Sequence, residues 1–139
     1  MPKNKNSVDC LGLGIAPLDF LFTSPNFPGA GQKIDATELV IQGGGPVPNC
    51  LVGLSRLGLT TAFVGAFGGD VTGKLGIDEL KHDGVETRYV VLKKQPSALA
   101  SGLIEQGSGR RTIATYRKIV KLPSELDLSS LHEAKIIHL

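Results

Sequence analysis

Apolar and polar positions follow two different periods along this chain, and the switches between them predict its elements. Residues 8–14 are a short, nearly unbroken apolar run, the pattern of a strand buried on both faces. Residues 18–22 (Leu-Asp-Phe-Leu-Phe) continue the apolar character with one carboxylate inside it. Residues 23–31 hold two prolines and two glycines and read as a loop. Residues 32–42 alternate through Ile34, Ala36, Leu39 and Ile41, as in a strand with one wet face. The period then becomes helical over residues 48–57, where Leu51, Leu54 and Leu57 recur and Gly58 can cap the end. Residues 60–66 (Thr-Thr-Ala-Phe-Val-Gly-Ala) return to strand composition. Asp70 or Thr72 can cap a second helix running to about His82, with Leu75 and Leu80 pointing inward and Gly84 ending it. Residues 86–93 and 98–105 read as strands, 107–109 as a tight turn, and 111–117 as the partner strand of a hairpin. A short helix over 128–132 precedes the apolar run 134–139, which reads as a buried strand beginning, so this chain is expected to be the front part of a longer protein.

Helices alternating with strands predict an α/β layered sheet. The strand-rich stretches 18–41 and 86–117 do not fit a plain βαβ series. They predict an accessory sheet standing off the main layer. Ligands in open α/β sheets bind at the carboxyl ends of strands, where an accessory sheet serves as a cover.

Composition narrows the function classes. With 139 residues, 41% hydrophobic and 20% charged, the chain is long enough for one domain with a real core. A net charge of +2 argues against a nucleic-acid or membrane surface, and the absence of Trp argues against a base-stacking platform. There is no run of about 18 apolar residues and no apolar signal core, so a cytoplasmic setting is expected. Cys10 and Cys50 lie in apolar surroundings and read as buried, reduced thiols. His82, His132 and His138 show no metal-ligand spacing, and no metal site is expected. Asp78 and Glu79 read as a wet helix face.

The densest chemical signal is Gly43-Gly44-Gly45-Pro46-Val47-Pro48-Asn49. Glycines let a ligand approach bare backbone, and a proline suits the first turn of a helix. Asn49 then projects near that backbone, a site suited to a small polar molecule. Asp19, inside its apolar segment, needs donors if it is buried; sugar hydroxyls would supply them, and a local turn or solvent is the alternative. Gly12-Leu13-Gly14 lacks the third glycine and is followed by Pro17, so it is not read as a dinucleotide fingerprint. No P-loop motif occurs.

These residues resemble the amino-terminal signature of the ribokinase-like (PfkB) carbohydrate kinases. The glycine turn with Asn49, then Ser55-Arg56-Leu57-Gly58, Val64-Gly65-Ala66-Phe67-Gly68-Gly69-Asp70, Asp83-Gly84-Val85-Glu86-Thr87 and the hairpin segment Arg110-Arg111-Thr112-Ile113 follow the family's order. The resemblance implies a Rossmann-like main sheet with a small β lid from about residues 18–42 and 96–117, all within residues 1–139 as one incomplete domain. It implies transfer of the γ-phosphoryl group of ATP to a sugar hydroxyl, with ATP and Mg²⁺ as cofactors. By the same resemblance Asp19, Gly44, Gly45 and Asn49 bind the sugar, and Arg117 is a candidate for an anionic group on it. Two departures stand out. Pro46 and Pro48 remove backbone donors from the glycine turn. The family's carboxyl-half signature, Asp-Thr-x-Gly-Ala-Gly-Asp, does not occur, so the catalytic base is expected beyond Leu139. The alternatives are a non-catalytic sugar-binding module and a dimerisation module, a homodimer forming through the lid strands.

Overall fold

The computed structural model describes residues 7–119, 125 and 128–139. In chain order the elements are β1 (Val8–Leu13), β2 (Leu18–Ser24), β3 (Glu38–Gly43), α1 (Pro46–Arg56), β4 (Thr61–Gly68), α2 (Val71–His82), β5 (Val85–Glu86), β6 (Val90–Lys93), β7 (Leu99–Glu105), β8 (Arg111–Tyr116), a 3-10 turn (Leu128–Glu133) and β9 (Ala134–His138).

β4 is the spine of the main sheet. Its eight residues are all buried, as its continuous apolar composition requires of a strand covered on both faces. It pairs in parallel with β1, and β1 pairs in parallel with β9. On its other side β4 carries β5 along its first half and β6 along its second. Both helices pack on one face, against Cys10, Phe63 and Phe67, with Val47, Leu51 and Leu80 reaching down from the helices. Phe63 and Phe67 meet edge to face, 6.0 Å between ring centroids. The opposite face is built on Val8, Leu11, Ala62 and Val64, with Tyr89 and Leu131 against them.

The smaller sheet has the order β3-β2-β7-β8, with β2 and β7 parallel and the two outer pairs antiparallel. Its register places Asp19 between Gln42 and Ala100. Residues 38–42 and the whole of β8 are exposed.

Three expectations change. Residues 86–93 do not join the accessory sheet: β5 and β6 follow α2 directly and lie alongside β4, completing a βαβ crossover in the main layer. The strand expected over 32–42 begins only at Glu38, because residues 29–32 close a turn in which Gln32 N–H bonds Gly29 O and Gln32 Oε1 takes the Gly29 N–H. Leu75 does not point inward, and the helix expected to run through Leu57 ends at Arg56. Leu57 falls on the C-cap just before Gly58 turns the chain at φ +90°, and Leu75 borders a groove between the helices. The glycines of Gly12-Leu13-Gly14 serve packing. A Cβ at Gly12 would sit 2.6 Å from Val47 Cγ1, and one at Gly14 would sit 2.9 Å from Val47 Cβ. Those glycines let α1 lie close on β1.

Candidate functional site

The chain leaves the main sheet after β1 and enters β2, and Asp19 is the second residue of that strand. Its side chain lies against the backbone of Gly44. A Cβ at position 44 would stand 2.2 Å from Asp19 Oδ2 and 2.6 Å from Cγ and Oδ1. Glycine is therefore the residue that lets the carboxylate and the turn share this space. Asp19 Oδ1 is buried and has no hydrogen-bond partner among the described residues. Burial pushes the Asp19 carboxyl above the ordinary aspartate value, because a desolvated carboxylate without donors is disfavoured. Asp19 as a whole is half-buried, so water or a ligand can supply the donor that the charged form lacks within the described residues.

The turn that faces Asp19 is held at three points. Gly44 N–H bonds Pro17 O at 2.8 Å. Gly43 N–H donates to the Glu79 carboxylate. Gly45, the N-cap of α1, sits at φ +99°, and a Cβ there would also meet Ile15 O at 2.6 Å. α1 starts at Pro46 with no side-chain cap. Pro46 and Pro48 bring no N–H, and the Asn49 N–H bonds Gly45 O at 3.1 Å, so the helix start offers little to an anion.

Asn49 is exposed and lines a cavity of about 790 Å³ between α1 and α2, together with Gln42, Gly43, Gly44 and Glu79. Gly53 lines it too, and faces open space. Asp19 does not line it. Gly44 borders both, with Asp19 over it on one side and the Asn49 cavity on the other. Arg117 is exposed, just past the end of β8, and does not line this cavity. The wet-face expectation holds for Asp78, which pairs with Lys74. It fails for Glu79, whose carboxylate is taken by Gly43. The available signal was its place beside the buried stripe Gly73, Gly76 and Leu80.

Asp70 decides the second capping question. It accepts from Gly73 N–H at 2.7 Å and from the Thr72 hydroxyl at 2.9 Å, so Asp70 is the N-cap and Thr72 its partner. It also accepts from Ser97 N–H and the Ser97 hydroxyl, just before β7. Burial pushes this carboxyl up, but the bonds from Ser97, Gly73 and Thr72 outweigh it and hold the pKa at about 2.

Comparison with known proteins agrees with this geometry. The model of the pfkB family of carbohydrate kinases matches residues 5–139. The chain is 30% identical over 99 residues to fructokinase-2 of Oryza sativa, covering 68% of this chain and 30% of the relative. It is 31% identical over 99 residues to 5-dehydro-2-deoxygluconokinase of Geobacillus kaustophilus, again covering 68% and 30%. Its fold matches a ribokinase of Thermotoga maritima with a TM-score of 0.81 at 21% identity, over 94% of this chain and 44% of that one. It matches the Arabidopsis thaliana ribokinase solved with ribose and ATP at 0.78 and 23% identity, with the same coverage. The chain thus spans about a third of the length of these curated relatives and under half of these structures. The family model's match across residues 5–139 shows that this chain belongs to the pfkB family of carbohydrate kinases, and its main parallel sheet with a small second sheet matches the fold of the solved ribokinases.

Proposed function

We propose that the polypeptide is an ATP-dependent sugar kinase in which this chain is the sugar-binding half and the smaller sheet is the lid. The observation that carries this reading is Asp19 Oδ1, a buried carboxylate oxygen with no donor among the described residues, lying over a glycine whose missing side chain leaves room beside it. Sugar hydroxyls donate to a carboxylate, so a polyol supplies what Asp19 lacks; the Gly43 and Gly44 N–H groups are already taken, so the turn contributes close approach rather than donors. Asp19 and Asn49 lie on opposite sides of Gly44; in this reading lid closure joins the two spaces, Asp19 orients the reacting sugar from one side, Gly44 and Gly45 leave room for it, and Asn49 brings its amide from the other. Closure of the lid excludes water, which suppresses wasteful hydrolysis of the phosphoryl donor.

The described residues contain no group of three or more His, Cys, Asp or Glu placed to hold a metal. Mg²⁺ would accompany ATP, held mostly by its phosphates and by water, in the remainder of the polypeptide. The general base that takes the acceptor proton and the residues that hold ATP belong, in this reading, to the remainder of the polypeptide. Arg117 is kept as a contact for an acidic sugar, because its exposure beside the lid leaves it free to swing onto a carboxylate. The free thiols of Cys10 and Cys50 accord with a cytoplasmic protein.

Turnover of ATP by the natural polypeptide against fructose, ribose and 5-dehydro-2-deoxygluconate tests the reading. Phosphorylation of one of these supports it. Sugar binding without any phosphorylation would favour the non-catalytic module instead. A homodimer through the lid is a second part of this reading. Register puts Phe20 beside Ile41 and Phe22 beside Leu39 on one face, and Leu39 and Ile41 are 50% and 45% exposed. A partner lid would cover that apolar face.

A further inference from the structure

Two of the connections between the main sheet and the lid are held by carboxylates on one helix. Asp70, the N-cap of α2, takes the N–H and hydroxyl of Ser97, between β6 and β7. Glu79, in the second half of the same helix, takes the N–H of Gly43, where β3 ends and the glycine turn begins. The two anchors differ in what they govern. The Ser97 anchor is buried and tied into the main sheet through Gly68 N–H, which bonds Ser97 Oγ at 2.9 Å. The Gly43 anchor is half-buried and lies one residue from the glycine that touches Asp19.

The geometry at Gly43 is specific. The neighbouring Gly44 N–H is already committed to Pro17 O. Gly43 is the last residue of the β2–β3 ladder, so its N–H lies at the hinge between lid and body. A Cβ at position 43 would stand 2.9 Å from Glu79 Oε2, so the absent side chain makes room for the carboxylate. Glu79, Gly43, Gly44 and Asn49 line the same cavity, and the Glu79 side chain reaches across it from α2. A charge-assisted bond to a half-buried backbone N–H is among the stronger hydrogen bonds a carboxylate makes.

We propose that Glu79 is a positioning residue for the sugar site: it fixes the Gly43 hinge so that Gly44 and Gly45 present their backbone against Asp19. The proposal rests on the sugar-kinase reading for its consequence, but the clamp itself does not. Glu79 touches no reacting atom and acts only through Gly43. Loosening it frees the hinge while the Asp70 anchor keeps α2 and β7 in place. The sugar then meets a turn that must be ordered on binding, which weakens its capture.

The test uses the natural polypeptide, labelled with ¹⁵N, as wild type, Glu79→Ala and Glu79→Gln. Amide exchange at Gly43 is read without any ligand, and KM and kcat are then read with fructose, ribose and 5-dehydro-2-deoxygluconate. Glu79→Ala is expected to speed Gly43 exchange by about tenfold or more and to raise the sugar KM by about tenfold while the KM for ATP stays unchanged. Glu79→Gln keeps a carbonyl acceptor of the same reach and is expected to restore most of both. Unchanged Gly43 exchange in Glu79→Ala would overturn the clamp. Faster exchange with an unchanged sugar KM would overturn the positioning role. If the wild type phosphorylated none of fructose, ribose and 5-dehydro-2-deoxygluconate, the kinase reading would fall, and the exchange data would still decide the clamp.

Discussion

Replacing Gly44 with Ala tests the contact on which the site is built. A Cβ at this position would lie 2.2 Å from Asp19 Oδ2, so the carboxylate must retreat to 3.4 Å or more to reach ordinary contact. That retreat is about 1 Å, and a misplacement of this size beside a reacting group costs about 100-fold in rate. Overpacking of this kind also costs about 1–3 kcal/mol of stability. The assay is kcat/KM for the preferred sugar together with a thermal melt. Gly69→Ala is the matched control, because Gly69 lies outside the Asn49 cavity, has no positive φ, and its Cβ would meet only Lys93 O at an ordinary 3.7 Å. The expected result is a loss of about 100-fold for Gly44→Ala and an unchanged kcat/KM for Gly69→Ala. A Gly44→Ala enzyme with wild-type kcat/KM would refute the reasoning, since the sugar could not then depend on the Asp19–Gly44 approach.

Three further outcomes follow from the same structure. Burial raises the Asp19 carboxyl, so the sugar affinity should fall on acidification at a pH above the ordinary aspartate value of 3.8, while Asp19→Asn binds weakly with no such step; stability, by the same sign, is lost as the pH rises through the raised value. Asp70 is held at about 2, so the stability it contributes is present above 3.8 and lost as the pH falls through that window; Asp70→Ala should cost about 2 kcal/mol or more in a denaturant melt, because it removes a cap and strands the buried Ser97 hydroxyl. Ile41→Glu should convert a dimer to a monomer in sedimentation equilibrium, and a monomeric wild type would exclude pairing through the lid face.

The sequence carried some of this more clearly than the rest, for physical reasons. β4 was legible from its continuous apolar composition and α1 from its helical period, and Gly58 and Gly84 adopt the positive φ that glycine makes easy, at +90° and +77°. The Gly43–Gly45 turn was legible because only glycine tolerates the approach of Asp19 and Ile15 to it. The sheet to which residues 86–93 belong was not legible. A strand's composition records its burial and not its partner, and β5 and β6 are too short to show an alternation. Leu75 was misplaced because helical spacing cannot tell that it borders the cavity between α1 and α2. Glu79 was missed because its partner is a backbone N–H, which no residue type at position 43 announces. The residues that hold the site in place were therefore harder to read than the residues that form it.

The most direct measurement is a calorimetric titration of the natural polypeptide with its preferred sugar, wild type against Asp19→Ala. Removing a carboxylate that accepts from sugar hydroxyls costs about 1.5–3 kcal/mol per bond, so two bonds lost should weaken binding by about 100-fold or more. A variant that melts like the wild type and binds the sugar this much more weakly is the predicted result. A variant that binds the sugar with unchanged affinity would contradict the account.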